Sequence, residues 1–217
     1  MSWTATERFE ARLAPDGLAL VQELVNTHAV ERGAQDLLAD LAGAQQWLHG
    51  AARQWSSSRG LDVPRIALSH ADVQALRDLR AAVGELLHLA AADPPRPPRA
   101  GVRSSARARG LVSLVTDDRG QVGLAPVGTG CRWFESALWS EVLLAQHSGT
   151  WPRLKLCREP GCRSAFYDTS RNSSGVWHNV RACGNIANQQ AARGRRKART
   201  TAKDADGSAG GHCTPTA

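Results

Sequence analysis

A chain of 217 residues, 42% of them hydrophobic, is long enough for one larger domain and a small appended module. It contains no run of about 18 apolar residues and no apolar signal segment at its N-terminus, so we expect a cytoplasmic protein without a membrane segment. The net charge of +7 is unevenly distributed: residues 1–150 carry 15 basic and 16 acidic residues, whereas residues 151–203 carry 12 and 2. A basic footprint confined to one segment indicates a polyanionic partner, most often nucleic acid.

The first 90 residues are predicted to be mainly helical. Residues 1–16 are polar and are predicted to be loosely held, and apolar residues at helical spacing predict helices over 17–28 and 34–55. A Ser-, Gly- and Pro-containing stretch at 56–64 predicts a loop. Ser69 followed three residues later by an acidic side chain is a variant of the capping box, and predicts a helix that runs to about Ala92.

The next elements complete the N-terminal domain. A Pro- and Arg-rich connector covers 93–110. Two alternating apolar runs on either side of Asp117-Asp118-Arg119-Gly120 predict a β-hairpin, and a helix is predicted over 131–147. The predicted fold class is therefore α+β, with a mainly helical N-terminal domain that contains a β-hairpin and spans residues 17–148.

Three of the five cysteines and one histidine have the spacing of zinc ligands. The pattern is Cys157-x4-Cys162, fifteen residues, and then His178-x4-Cys183. In a cytosolic chain this spacing favours a metal over disulfides. Two pairs of sulfur and nitrogen donors are what a tetrahedral Zn²⁺ site requires, and four protein ligands leave no open position for a catalytic water. We therefore expect one structural zinc ion.

The residues around these ligands predict the shape of the segment. Pro160-Gly161 predicts a tight turn, or knuckle, whose amides can point at the sulfurs. Apolar residues on both sides of the polar loop 168–175 predict a short hairpin, and a basic helix follows Cys183. A knuckle, a hairpin and a helix around one zinc describe a small treble-clef zinc finger over residues 151–199. The tail 200–217 is predicted to be disordered.

Several motifs resemble the CGNR zinc-finger family. They are DTSRN at 168–172, WH at 177–178 and CGN at 183–185, and LALVQELVNT at 18–27 resembles the ABATE domain that precedes this finger in the same proteins. The resemblance implies a stress-related transcriptional regulator whose zinc ligands are Cys157, Cys162, His178 and Cys183. The chain departs from the pattern at His178, where the family commonly has cysteine, and at Ile186, where the motif has arginine.

Basic and amide side chains beside this site are candidates for nucleic-acid contacts. Those of the predicted helix are Arg193, Arg195, Arg196, Lys197 and Arg199. Acidic partners four residues away are absent, which favours DNA binding over a merely solvated charged face. In the polar loop, Arg171 and Asn172 either contact the DNA backbone or hold the finger together, Asn172 by binding turn amides and Arg171 by pairing with Asp168.

Two other functions stay open at the level of the sequence. The basic helix could bind RNA or an acidic protein instead of DNA. Trp177-His178-Asn179 superficially suggests a metal-dependent nuclease, but such a site needs a free histidine as general base, and His178 is assigned to the metal. We therefore expect no enzymatic activity.

The N-terminal domain is interpreted as a domain for sensing a small-molecule effector or for forming a homodimer. This hypothesis rests on a near-neutral globular domain joined to a DNA-binding finger. Its scattered polar residues lack ligand spacing and are interpreted as surface or satisfied core residues: Asn26, His28, His49, His70 and His88. Cys131 is predicted to be a small buried residue, and Cys213 in the tail to be incidental.

Overall fold

The computed structural model describes residues 3–30, 35–91 and 109–207, with side chains described as far as residue 196. These residues belong to two compact units, Met1–His178 and Asn179–Ala217. The helices are α1 (Thr4–Glu7), α2 (Leu18–Val25), α3 (Leu41–Arg59), α4 (His70–Ala90), α5 (Gly130–His147) and α6 (Asn185–Gly207). The strands are β1 (Val112–Thr116), β2 (Val122–Pro126), β3 (Leu154–Leu156) and β4 (Ala165–Tyr167), which form two antiparallel pairs, β1–β2 and β3–β4. The predicted α+β class is confirmed.

Helix α2 is the centre of the first unit. All eight of its residues are buried, and it packs against α1, α3, α4 and α5. A helix that is apolar on nearly every side belongs in a core, but its polar members then need partners. Glu23 finds them in the amides of Ala5 and Thr6, at 2.7 and 2.9 Å, and in the Trp47 indole at 3.2 Å. Burial raises the pKa of this carboxyl group, although the hydrogen bonds oppose the rise.

The prediction that residues 1–16 are loosely held is wrong. Trp3, Ala5, Phe9 and Ala14 are all buried in the first unit. Helix α1 is only one turn long and has no capping side chain of its own, so the Glu23 carboxylate supplies acceptors for its first amides. The N-terminal segment is therefore held by a residue that lies far along the chain from it.

The boundaries predicted for the second helix are also wrong. Helix α3 begins at Leu41 because the Asp40 carboxylate accepts the Gly43 amide at 2.7 Å, which is an N-cap. It continues through the serine-rich stretch to Arg59 and ends at Gly60, whose φ of 64° is the left-handed conformation that favours glycine. The predicted loop at 56–64 thus begins with four helical residues.

Three local predictions are confirmed. The capping box of α4 is complete, because Ser69 and Asp72 each accept the other's amide. Strands β1 and β2 pair as a hairpin, with Thr116 opposite Val122. Helix α5 begins at Gly130, and Cys131 in its first turn is buried, which raises the pKa of its thiol to about 12.

Helix α6 extends to Gly207 and so into the tail that was predicted to be disordered. Residues 208–217, including Cys213, lie outside the described residues, as does most of the connector 93–110. Over the parts of the chain that the structure describes, no helix combines the length and apolarity needed to cross a membrane.

Candidate zinc centre and basic surfaces

The knuckle lies in the turn between β3 and β4. Leu156 pairs with Ala165, and the turn is closed by Cys157 N donating to Ser164 O at 2.8 Å and by Cys162 N donating to Glu159 O at 2.9 Å. The amide of Glu159 also points at the Cys157 sulfur, and that of Ser164 at the Cys162 sulfur. The predicted turn, with its amides directed at the sulfurs, is confirmed.

The hairpin predicted around loop 168–175 is wrong. Strand β4 pairs with β3, on the other side of the knuckle, and residues 176–178 form no strand. Residues 176–178 bond to the knuckle through their backbone: Arg158 N donates to Val176 O at 3.0 Å, and the His178 amide points at the Cys157 sulfur. The apolar pairs that suggested a hairpin therefore flank a loop that is closed by side chains instead.

Four side chains supply the donors of a closed metal site. The ligand atoms of Cys157, Cys162, His178 and Cys183 all lie within 4.8 Å of one another, and Cys162 Sγ is 3.3 Å from His178 Nδ1. Zinc–sulfur bonds of about 2.3 Å in a tetrahedron give sulfur–sulfur edges of about 3.8 Å, so this cluster fits one zinc ion. The three cysteines are buried and the histidine is half-buried, which is typical of a structural site. The expected zinc cofactor is confirmed at the level of a compatible ligand set.

The two knuckle thiols differ in acidity. The hydrogen bond from Cys157 lowers the pKa of Cys162 in spite of burial, with further help from His178 and from the Ser164 hydroxyl at 3.2 Å. The same hydrogen bond, together with burial, raises the pKa of Cys157. A metal ion that binds both sulfurs displaces the protons that they carry.

The fourth ligand, Cys183, lies in the turn that precedes α6. Asn179 caps a wide turn, Val180–Gly184, by accepting the amides of Arg181 and Ala182 at 3.0 and 3.1 Å. Cys183 lies in this turn, buried, with its own amide bonded to Asn179 O at 2.9 Å. Its predicted location beside a helix N-terminus is confirmed. Ile186, which replaces the motif arginine, is half-buried in the first turn of α6.

Loop 168–175 is organised by the Asp168 carboxylate. This buried group accepts the amides of Ser170 and Gly175 at 2.9 and 2.7 Å and forms an ion pair with Lys155 at 2.7 Å. Burial alone would raise the pKa of Asp168, but the hydrogen bonds from Lys155, Ser170 and Gly175 hold it below its usual value. A Cβ at Gly175 would come within 2.8 Å of Asp168 Oδ1, so the close approach requires glycine.

Arg171 and Asn172 lie at the exposed tip of this loop. The Arg171–Asp168 pair that the sequence allowed is not formed, because Asp168 pairs with Lys155. Within the described residues, neither the Arg171 guanidinium nor the Asn172 amide makes a side-chain hydrogen bond or an ion pair. The DTSRN motif thus divides into an internal clamp at Asp168 and two polar side chains displayed to solvent.

We predict that replacing Asp168 with asparagine loosens the loop and speeds cleavage by trypsin after Arg171. Loss of the charged partner of Lys155 and of a buried acceptor costs about 1–3 kcal/mol, which corresponds to roughly a tenfold increase in cleavage after Arg171 under native conditions. Asp117→Asn is the matched control, since Asp117 accepts two amides in the β1–β2 loop and has no ion-pair partner among the described residues. Equal cleavage rates at Arg171 in both variants would contradict the clamp role.

The basic residues of α6 are displayed along the helix. Arg193, Arg195 and Arg196 are all exposed. Lys197 and Arg199 belong to the same helix, and their side chains lie outside the described part of the chain. Helix α6 has no acidic residue before Asp204. All predicted basic residues of this segment are therefore gathered on one continuous helix.

A set of amide contacts that the sequence analysis did not find joins α2 to the knuckle strand. Asn26 is fully buried; its Oδ1 accepts Ala165 N at 2.7 Å and its Nδ2 donates to Ala165 O at 3.0 Å. Gln22 Nε2 donates to the same carbonyl at 3.1 Å, and His28 Nε2 lies 2.8 Å from Cys162 O. Asn26 is a satisfied core residue, as expected, but its partner is the finger.

One signal in the sequence could have revealed these contacts of Gln22 and Asn26. Gln22 and Asn26 are four residues apart, so they share one face of a helix that is otherwise apolar. Two amides on a buried face need partners there, because burying an unpaired amide is unfavourable. The identity of the partner could not be read from this pattern.

Comparison with known families agrees with the motifs. Residues 18–146, more than half of the chain, match the ABATE model, which is described as "Putative stress-induced transcription regulator". Residues 153–196 match the model of the CGNR zinc finger and contain all four predicted zinc ligands. No curated protein matches the chain. The resemblance inferred from the motifs is confirmed over both segments.

Proposed function

Since the chain belongs to the ABATE family and its C-terminal segment is a CGNR zinc finger, we propose that it regulates transcription by binding duplex DNA. The four-ligand site supplies folding free energy to a segment too small to fold alone, and not a reacting group. Both matched families are of regulator or zinc-finger type, and neither is a family of enzymes. The contacts with DNA come from arginines and not from the cysteines.

The observation that carries this proposal is the exposed basic run of α6. Arg193, Arg195 and Arg196 are exposed on a helix whose residues before Arg193 are all uncharged. An α-helix is about 10–12 Å across, which matches the roughly 12 Å width of the DNA major groove. A helix whose basic run contains no acidic residue gains phosphate contacts there.

Loop 168–175 offers a second set of donors. Arg171 and Asn172 are exposed on a loop that Asp168 and Lys155 hold from inside. Guanidinium and amide groups are common donors to phosphate oxygens, and a pre-ordered loop loses little conformational entropy when it binds. We assign Arg171 and Asn172 to contacts with the DNA backbone.

The test is the salt dependence of duplex binding. Each lost phosphate contact lowers the slope of log K against log salt by about 0.9, so the Arg195→Ala/Arg196→Ala double variant should lose about 1.8 and bind more weakly at every salt concentration. The matched control is Arg53→Ala/Arg119→Ala, which removes the same charge from two exposed positions of the first unit. A salt-independent affinity, or equal slopes for the two double variants, would contradict DNA binding by α6.

The alternatives predict different results in the same assay. If the module binds RNA or an acidic protein, duplex RNA or an acidic polypeptide will displace DNA from the wild-type chain at comparable concentrations. A nuclease would convert supercoiled plasmid to nicked or linear product with Mg²⁺. We expect duplex DNA to compete best and the plasmid to remain intact, because His178 lies within the metal cluster, with Nδ1 3.3 Å from the Cys162 sulfur.

A further inference from the structure

A cavity of about 520 Å³ lies between α4 and the β3–β4 hairpin, within the first unit. One wall is a single face of α4, which contributes residues three and four apart from Arg77 to His88. The opposite wall contains Leu156 of β3 and Arg163, which follows the knuckle. This volume is within the range of sites for small organic ligands.

The floor of the cavity is apolar, and at Gly84 no side chain fills the space. Val25, Ala81 and Leu156 line it, and a Cβ at Gly84 would meet nothing within 4 Å. Glycine is unfavourable inside a helix, so Gly84 weakens α4 while it keeps this space open. The space can take the apolar part of a ligand.

The rim of the cavity carries an excess of positive charge. The described lining residues include three arginines, Arg77, Arg80 and Arg163, against one carboxylate, Glu85. Arg80 is paired with Asp36 at 2.8 Å, and Arg77 donates to backbone carbonyls. The Arg163 guanidinium is exposed and makes no hydrogen bond or ion pair with any residue that the structure describes. One cation beside an apolar floor is therefore available to an incoming anion.

We propose that this cavity binds a small organic carboxylate, with its apolar body over Gly84 and Leu156 and its carboxylate against Arg163. The pairing gains most where water is excluded, and an apolar body over the floor excludes it. This assigns a site and a ligand class to the first unit. Ligand binding itself does not depend on the proposed DNA-binding function; only an effect of the ligand on transcription rests on that function.

The location of the site links ligand binding to the zinc knuckle. Leu156 and Arg163 directly precede and follow the two knuckle cysteines, and His28, which lines the same cavity, lies 2.8 Å from Cys162 O. A ligand that contacts α4 and both of these residues needs the folded knuckle. It therefore stabilises the folded, zinc-competent form, and zinc in turn favours the ligand.

The first experiment measures binding by the zinc-loaded full-length chain. Anilinonaphthalene sulfonate, an aromatic anion, serves as the fluorescent probe, and benzoate is the carboxylate competitor. We expect saturable 1:1 binding that Gly84→Leu weakens at least tenfold by filling the cavity. Gly50→Leu is the matched control, since Gly50 also lies inside a helix with open space at its Cβ. Equal affinities of the two variants for the probe would overturn the site.

A second variant and a second measurement keep the test independent of folding effects and of DNA. Arg163 has a φ of 50°, so Arg163→Asn keeps a residue that tolerates this conformation while removing the charge. This variant should lose the preference for benzoate over benzyl alcohol; an unchanged preference would overturn the role of Arg163. Saturating benzoate should also slow zinc transfer to a chelator several-fold in the wild type and not in Gly84→Leu, and equal rates would overturn the link to the knuckle.

Discussion

Replacing Cys157 with serine should remove zinc from the protein and unfold the knuckle. A serine hydroxyl is not ionised near neutral pH and is a poor zinc ligand, so three donors of the cluster remain. Structural zinc contributes on the order of 10–16 kcal/mol in small modules, which is far more than this short hairpin can replace. Zinc content should fall from one ion per chain to nearly none, as measured by atomic emission on the purified chain.

Hydrogen exchange should locate the damage. The amides of Cys157 and Cys162 are bonded within the knuckle and should lose their protection, while the amides of α2 and α5 keep theirs. Cys131→Ala is the matched control because Cys131 is buried on α5 outside the cluster; it should keep its zinc and the protected knuckle. A Cys157→Ser chain that retained one zinc and protected knuckle amides would show that Cys157 is not a ligand.

Replacing Asn26 with alanine should destabilise the first unit and loosen the finger at the same time. The Asn26 amide is the partner of both backbone groups of Ala165, at 2.7 and 3.0 Å, in a fully buried position. Leaving a buried polar group unpaired costs about 1–3 kcal/mol, so the loss should be about 2–5 kcal/mol. For a chain of this size that is a fall in Tm of roughly 5–15 °C, measured by thermal unfolding of the zinc-loaded protein.

The control separates general destabilisation from an effect on the finger. Gln45 makes a similar pair of bonds, accepting Leu68 N and donating to Ile66 O at 2.8 Å, without touching the knuckle. Gln45→Ala should also lower Tm but leave the rate of zinc transfer to a chelator unchanged, whereas Asn26→Ala should increase that rate. If both variants released zinc at the wild-type rate, Asn26 would be an ordinary core residue.

The contacts of Asn26 with Ala165 explain the LVNT motif, residues 24–27, in physical terms. Leu24 and Val25 belong to the apolar core, Asn26 binds Ala165, and Thr27 accepts a hydrogen bond from Arg80 at 2.9 Å. One short stretch of α2 and its C-terminus thus joins the core of the helical part to the strand that leaves the knuckle. This accounts for the first part of the finger lying in the same compact unit as the N-terminal helices.

The sequence by itself determined the features whose causes are local. The zinc ligands follow from the spacing of four side chains, the capping box of α4 from two residues three apart, and the β1–β2 hairpin from two short runs and their turn. The capping box and the hairpin involve groups that are close in sequence, and the residue types and spacing of the zinc ligands are specific to metal binding. Family membership followed from the same motifs.

Only the tertiary structure decided the features whose partners are distant in sequence. Ala165 is 139 residues from Asn26, and the Glu23 carboxylate that caps α1 is 18 residues from Ala5. Asp168 pairs with Lys155 and not with Arg171, because β3 brings the lysine to the inside of the loop. Local patterns reveal that a buried polar group needs a partner, because burial excludes water as the alternative. Which group becomes the partner is decided by the packing of distant segments.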